Sequence, residues 1–335
     1  MGFFSNSYVQ NVNIGENVKF VNGSMSNAFS GCYNFNSPLV IPNGVTNMVS
    51  TFNYCNRLNQ PITLPNTVIN LWGTFGNCVL FNQPINLPES VTCIGYMLYN
   101  CKNFNQPINI PNGVTIMTNA FGLCRNFNQP ITIPDGVTSI ANLFYGCYKF
   151  NQPITIPDGV TNMYGAFSTC QNAFNQPITI PDGVTDITQA FNRCWYFNQP
   201  IVIPDSVVRM NFAFNGCNRL NSGTDIIIGN SVQYLNNAFH NCTNLTGNMI
   251  IYSPNILNSG AMIRYKSNSK RLNIFVPNNA CNTFNRMVNT GYYNSIVYVG
   301  ISWSNNTSNY CRYNSTWNIY VYYNMAHYGY ERSTT

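Results

Sequence analysis

The sequence predicts an α/β solenoid of about ten 23-residue coils with short parallel strands, mostly β and irregular chain with little helix. Three observations predict it. Cysteines recur at Cys32, Cys55, Cys78, Cys101, Cys124, Cys147, Cys170, Cys194, Cys217 and Cys242, with eight of the nine steps being 23 or 24 residues and the last 25. A proline-flanked Ile-x-Ile run returns at the same period, and so does a phenylalanine three residues before most of those cysteines. A fixed period in this range marks a repeat array, in which each coil buries its core only against its neighbours.

One coil shows the logic. Ile154-Thr155-Ile156 alternates apolar and polar and is β-branched throughout, so it reads as a short strand. Pro153 and Pro157 stop it from growing. Pro157-Asp158-Gly159 reads as a turn, in which proline presets φ, Asp bonds its own backbone and glycine tolerates a positive φ. The return segment places Val160, Met163, Phe167 and Cys170 inward at spacings of three, four and three, which predicts a loose helical or 3-10 turn. Stacked coils then give columns: Phe52, Phe75, Phe121, Phe144, Phe167, Phe191, Phe214 and Phe239, with Leu98 filling the gap, and Ile62, Ile85, Ile108, Ile131, Ile154, Ile178 and Ile201. With coils about 4.8 Å apart, ten would span roughly 48 Å.

The domain reading follows in order. Residues 1–30 hold a degenerate half-coil, Ile14 through Phe29, expected as an N-terminal cap. Residues 31–252 are the array, with Ala173 as one extra residue and Thr224-Asp225 as an insertion. In 253–335 the cysteine signature lapses, yet Leu272-Asn273-Ile274-Phe275-Val276, Ile296-Val297-Tyr298-Val299 and Trp317-Asn318-Ile319-Tyr320-Val321 keep the period. We therefore expect diverged coils ending in a tyrosine-rich cap, with a separate small domain as the alternative.

Composition narrows the function classes. Charged residues are 7% of the chain against about 25% in ordinary domains, while apolar content is a normal 45%. The surface is thus polar and nearly uncharged, which suits neutral hydrogen-bonding partners better than phosphates. The net charge of +6 comes from 15 Lys and Arg spread along the whole length, so nucleic-acid binding is not expected. Their densest cluster, Arg264, Lys266, Lys270 and Arg271, reads as a solvated loop that could attract an acidic polymer. No secretory signal or 18-residue apolar run is visible, so membrane insertion is not expected. The expected location is a virion or another extracellular surface reached without a visible signal peptide, the cytoplasm staying open.

Cysteines one coil apart lie within reach of a disulfide, but their Cβ bonds point the same way and the total of 13 is odd. Both readings stand, with buried reduced thiols as the expected one. The ten lack Cys-x-x-Cys pairs and the only histidines are His240 and His327, so neither zinc nor another cofactor is implied. Asn59-Gln60-Pro61 and its repeats read as buried amides bonding coil to coil. The turn acids Asp135, Asp158, Asp182 and Asp205 alternate with Asn43, Asn66, Glu89 and Asn112, so the position needs a turn former rather than a calcium ligand. No Ser-His-Asp, Cys-His or paired-carboxylate arrangement is recognisable, and an enzyme is not expected.

The run Ile-x-Ile-Pro-x-Gly-Val-Thr followed by Ala-Phe-x-x-Cys, as from Ile178 to Cys194 and, with Leu143 at the alanine, from Ile131 to Cys147, resembles the BspA-like bacterial leucine-rich repeats. The Phe-Asn-Gln-Pro opening is similar to repeats of mollicute surface lipoproteins. The resemblance covers about residues 28 to 252. It implies a leucine-rich-repeat fold and an adhesion or ligand-binding role without catalytic residues. No export signal, lipid-anchor cysteine or wall-sorting tail is visible in the sequence, which departs from the pattern expected of usual members.

On a solenoid, ligands meet positions that vary while the core repeats. The outward strand strip, Val40, Thr63, Asn86, Asn109, Thr132, Thr155, Thr179 and Val202, is smooth. The two residues after each cysteine vary more, and Arg57, Lys102, Arg125, Tyr148, Lys149, Trp195, Tyr196 and Arg219 stack there into a basic and aromatic ridge. Such rings stack on sugars and such cations meet acidic groups. Trp303, Trp317, Tyr320 and Tyr322 mark a second candidate surface. The partner expected is a bacterial surface glycan or surface protein, as for a phage fibre or receptor-binding component. The alternatives are a structural virion decoration contacting other virion proteins, or a cytoplasmic scaffold, with a homo-oligomer possible in each case.

Overall fold

Residues 3–15, 18–220, 225–258, 262–264, 272–277 and 295–301 are described by a computed structural model. Among them the regular elements are one 3-10 turn, Val21–Gly23, and nine short strands. The strands are β1 (Leu39–Val40), β2 (Ile62–Thr63), β3 (Val202–Ile203), β4 (Ile226–Ile228), β5 (Phe239–His240), β6 (Gly247–Ile251), β7 (Ile263–Arg264), β8 (Leu272–Pro277) and β9 (Ser295–Ile301). Every pairing is parallel: β1 with β2, β5 with β7, and a five-stranded order β3-β4-β6-β8-β9. Leu39 faces Ile62 and Ile203 faces Ile228, so each pairing advances by one coil. The chain is a solenoid, and no helix among the described residues is long and apolar enough to cross a membrane.

The segment ending at each cysteine does not form the expected helical turn. It is an arc in which alternate residues bond in opposite senses. Met48, Ser50, Phe52 and Tyr54 donate their N–H groups to the carbonyls of Asn70, Trp72, Thr74 and Gly76 in the next coil, at 2.8–2.9 Å. Between them, Thr51, Asn53 and Cys55 donate back to Met48, Ser50 and Phe52 within the arc. The alternation requires two left-handed residues per coil, four apart: Ser50 and Tyr54 (φ 53° and 63°), Tyr96 and Asn100 (54° and 60°), Gln189 and Arg193 (58° each). A helix would have turned those N–H groups inward along its own axis and left no bonds between coils.

The Ile-x-Ile runs are paired strands only at the two ends of the array. Between β2 and β3, no backbone hydrogen bond joins residues 85–87, 108–110, 131–133, 154–156 and 178–180 to one another. Each run sits between two prolines, which lack an N–H, so it offers few donors while the arc already fixes the coil spacing. The alternation itself is kept. Thr63, Asn86, Asn109, Thr132, Thr155 and Thr179 all face solvent, and their isoleucine neighbours turn inward.

The turn glycines serve two purposes. Gly44 takes a positive φ of 91°, whereas Gly113, Gly136, Gly159 and Gly183 do not. A Cβ on Gly159 would lie 3.2 Å from the Asp135 carbonyl oxygen of the preceding coil, so the glycine permits close approach. Where Thr67, Ser90 and Ser206 stand at the same position, the hydroxyl donates to the carbonyls of Val45, Val68 and Val184 at 2.6–2.8 Å. The asparagines of Asn-Gln-Pro bond coil to coil but are half-buried or exposed rather than buried. The Asn59 Oδ1 accepts the Asn82 N–H at 2.9 Å, and the Gln83 amide reaches back to the Asn59 carbonyl at 3.1 Å.

Two stacked phenylalanine columns fill the interior. Phe144 lies 5.8 Å from Phe121 and 5.7 Å from Phe167, with ring planes within 19° of parallel. A second column, Phe104, Phe127, Phe150, Phe174 and Phe197, comes from the Phe-Asn-Gln-Pro opening and steps by 5.9–6.1 Å. The two interleave, closest at 4.1 Å between Phe144 and Phe150. Beside them the ten array cysteines are buried free thiols. Each Sγ–H donates to a carbonyl of the preceding turn, as Cys78 to Phe52 at 3.1 Å and Cys147 to Phe121 at 3.0 Å. A thiolate could not donate that bond.

Burial pushes the thiols from Cys55 to Cys242 up, with neighbouring cysteines adding to the effect at Cys101 and Cys147. Cys242 is raised from 9.0 to about 12. A folded value above the unfolded one leaves stability intact below the ordinary thiol pKa and removes it as pH rises from there towards the folded value. We expect a urea midpoint that is constant below about pH 8 and falls steeply above about pH 9. Alkylation of the array cysteines should track the loss of circular dichroism. Alkylation of those ten cysteines in the folded chain at neutral pH would contradict the sealed ladder.

Candidate functional site

The ridge is built by the backbone. Past several of the cysteines the second residue donates its N–H to the carbonyl of the first in the preceding coil: Arg57 to Tyr33, Asn126 to Lys102, Lys149 to Arg125, and Arg219 to Trp195, at 3.1–3.2 Å. These bonds hold the varying side chains in register one coil apart. The structure brings them together as two clusters rather than one continuous edge. In the first, the Arg125 guanidinium lies 5.2 Å from the Tyr148 ring centroid, with Lys149 exposed alongside in sequence. In the second, the Arg219 guanidinium lies 3.9 Å over the Tyr196 ring, next to Trp195. The intervening coil carries Gln171-Asn172 and the extra Ala173.

Trp195 and Tyr196 are 41% and 38% exposed, large values for aromatic residues on a rigid frame. An arginine stacked on a ring keeps its outer N–H groups free for a carboxylate or phosphate while the ring restrains its plane. Each cluster therefore offers an aromatic face and a fixed cation together. Arg57 is exposed and Lys102 half-buried, and Val79-Leu80 in the coil between separates them. Trp303, Trp317, Tyr320 and Tyr322 lie outside the described residues, as do Lys266, Lys270 and Arg271.

Two features were not anticipated from sequence. Arg209 lies 5.8 Å over the Tyr234 ring, on a corner where the period places nothing distinctive. The outward strip is also less smooth than it reads. Across the coils whose strands are unpaired, a groove of about 800 Å³ runs between Pro107, Pro130 and Pro153, floored by Ile108, Ile131 and Ile154. The proline before each Ile-x-Ile run was the available signal, since it removes a donor from the ladder.

A family profile described as the BspA type leucine rich repeat region matches, in 6 copies, residues 94–221 and 164–295, more than half of the chain. A second, described as a Mycoplasma protein of unknown function (DUF285), matches residues 23–133. The fold is similar to that of a leucine-rich repeat protein from Bacteroides ovatus, with a TM-score of 0.54 and 19% identity over 85% of this chain and 91% of that one. A leucine rich cell surface protein from Faecalibacterium prausnitzii aligns with a TM-score of 0.39 and 21% identity over 70% of this chain and 76% of that one. At these identities the first likeness speaks to the fold alone, and the second carries no argument. No curated protein matches the chain.

Neighbouring residues separate surface from core in a testable way. Tyr196→Ala should change stability by less than about 1 kcal/mol, because the side chain is exposed. Phe197→Ala, one residue on and stacked on Phe174, Phe191 and Phe214, should cost about 3–5 kcal/mol. Urea denaturation of the two variants measures both.

Proposed function

The chain belongs to the BspA-type leucine-rich repeat family, and from that premise we propose that it is an adhesion protein whose post-cysteine ridge grips an acidic glycan on a bacterial surface. Proteins of this family are commonly of the surface-adhesion type, with repeats that act as binding scaffolds. The observation that carries the reading is the pairing of ring and cation: Arg219 over Tyr196 beside Trp195, and Arg125 over Tyr148 beside Lys149. Aromatic faces stack on the C–H faces of sugars, and the clamped guanidiniums accept a carboxylate or phosphate substituent.

Rigidity is the rest of the mechanism. The inter-coil bonds order the ridge before any ligand arrives, so binding does not have to immobilise it. Several weak contacts along one polymer then add through effective concentration. No step in this role requires catalysis. The protein would act at an exposed surface, of a cell or of a virus particle.

Labelled protein should bind intact bacteria of a suitable host, and periodate oxidation of their surface sugars should abolish the binding. Because charge takes part, attachment should weaken as salt rises. Trp195→Ala with Tyr196→Ala should weaken attachment about tenfold, equivalent to about 1.4 kcal/mol, while leaving the fold intact. Unchanged attachment in that variant would remove the ridge from the account.

A further inference from the structure

A second aromatic group lies on the other side of the cysteine column, in the arcs that precede it. Trp72 and Tyr96 sit 5.1 Å apart and Tyr96 and Tyr99 5.5 Å apart, with rings tilted by 41° and 54°. Glycine makes room for them. A Cβ on Gly95 would collide with the Trp72 ring, and one on Gly122 would come within 3.0 Å of the Tyr99 ring. Each ring therefore lies over a bare stretch of backbone in the next coil. Tyr99 is held above the usual phenol range first by burial, then by Tyr145, Tyr96 and Tyr54.

Three observations limit what could cover this face. The first is charge: residues 45–55, 68–78, 91–101, 114–124 and 137–147 contain no Asp, Glu, Lys or Arg. The second is exposure, because Trp72 is 37% and Tyr54 48% exposed although both belong to a hydrogen-bonded frame. The third is spacing. The position two before the cysteine reads Asn53, Gly76, Tyr99, Gly122, Tyr145, so Tyr99 and Tyr145 stand two coils apart, about 9.6 Å. That is about the length of a disaccharide. A row of amides borders the rings: the Asn77 Nδ2 donates to the Asn53 Oδ1 at 3.1 Å, and the Asn100 Nδ2 to the Asn77 Oδ1 at 2.9 Å.

We propose that Trp72, Tyr96, Tyr99 and Tyr145, bordered by those asparagine amides, form a second binding site for an extended, uncharged glycan lying along the solenoid axis. An apolar protein surface would need a continuous apolar patch, whereas these rings are interrupted by glycine and edged by amides. A sugar chain matches both features. Its C–H faces meet Tyr99 and Tyr145 about one disaccharide apart, with Trp72 and Tyr96 alongside, and its hydroxyls meet the amides in between. The inference extends the adhesion reading to a second ligand chemistry, on residues the ridge does not use.

The test uses the full chain and three neutral hexasaccharides, cellohexaose, chitohexaose and xylohexaose, with their disaccharides, followed by calorimetry and tryptophan fluorescence. At least one hexasaccharide should bind, more tightly than its disaccharide and with affinity unchanged between low and high salt. Tyr99→Asn and Trp72→Thr should each weaken it at least tenfold. Both install residues the repeat already holds at those positions, Asn53 and Asn192 for the first and Thr118 and Thr188 for the second. Trp72→Phe should keep most of the affinity, which a loss through misfolding would not allow. No binding by any hexasaccharide, or equal binding by the folded variants, would overturn the proposal. Ridge variants that keep both cells and the hexasaccharide would instead overturn only the ridge.

Discussion

The N–H groups that each arc sends into the next coil are the interaction on which the rest depends. They require the chain to leave the right-handed region twice per coil, at positions that include Leu123, Thr169 and Phe212. Such backbone costs about 1–3 kcal/mol per residue that is not glycine. Thr169, β-branched at φ 59°, is the hardest case. The strain persists because every arc is bonded on both sides. A coil taken alone would have the cost without the bonds, which is why stability in such arrays is a property of neighbours.

With the pitch fixed in this way, the choice of side chains inside follows. Cysteine fits its column because it is small, apolar and able to donate: its S–H adds a second bond to a buried carbonyl of the preceding coil, as Cys170 does at 3.2 Å to the Phe144 carbonyl that already accepts the Cys147 N–H. Serine would add polarity there and alanine would drop the bond. Phenylalanine rings stacked 5.1–5.8 Å apart fill the remaining width with offset faces. The outside inherits the same register, so residues of unlike chemistry on successive coils become ordered rows. Arg125 over Tyr148 and Trp72 over Gly95 are two outcomes of one constraint.

Much of this was legible in the sequence. The cysteine period marked the coil, Phe144 and Ile131 marked the inside, and Thr132 and Thr155 marked the outside. The arc was not legible, because its first left-handed position is held in turn by Ser50, Gly73, Tyr96, Asn119, Asn142, Gly165, Gln189 and Phe212. Glycine or asparagine, which favour that backbone, stands at only four of the eight, so the bonds to neighbours define the position more than propensity does. Ile131-Thr132-Ile133 has every local mark of a strand, but pairing belongs to two coils at once and prolines on both sides weaken it. The ridge could be found because it varies at one phase. The arc rings were hidden because Trp72, Tyr96 and Tyr99 sit at different phases and meet only when coils stack.

Amide hydrogen exchange resolved to single residues tests the central claim most directly. The account predicts strong protection at Met48, Ser50, Phe52 and Tyr54 and at their equivalents through Leu235, because these N–H groups join the coils. It predicts fast exchange at residues 109–110, 132–133 and 155–156, whose N–H groups make no bond between coils. The reverse pattern, protected strands and exchanging arcs, would mean that the array is held together by a conventional sheet and that the arc ladder is not its organising interaction.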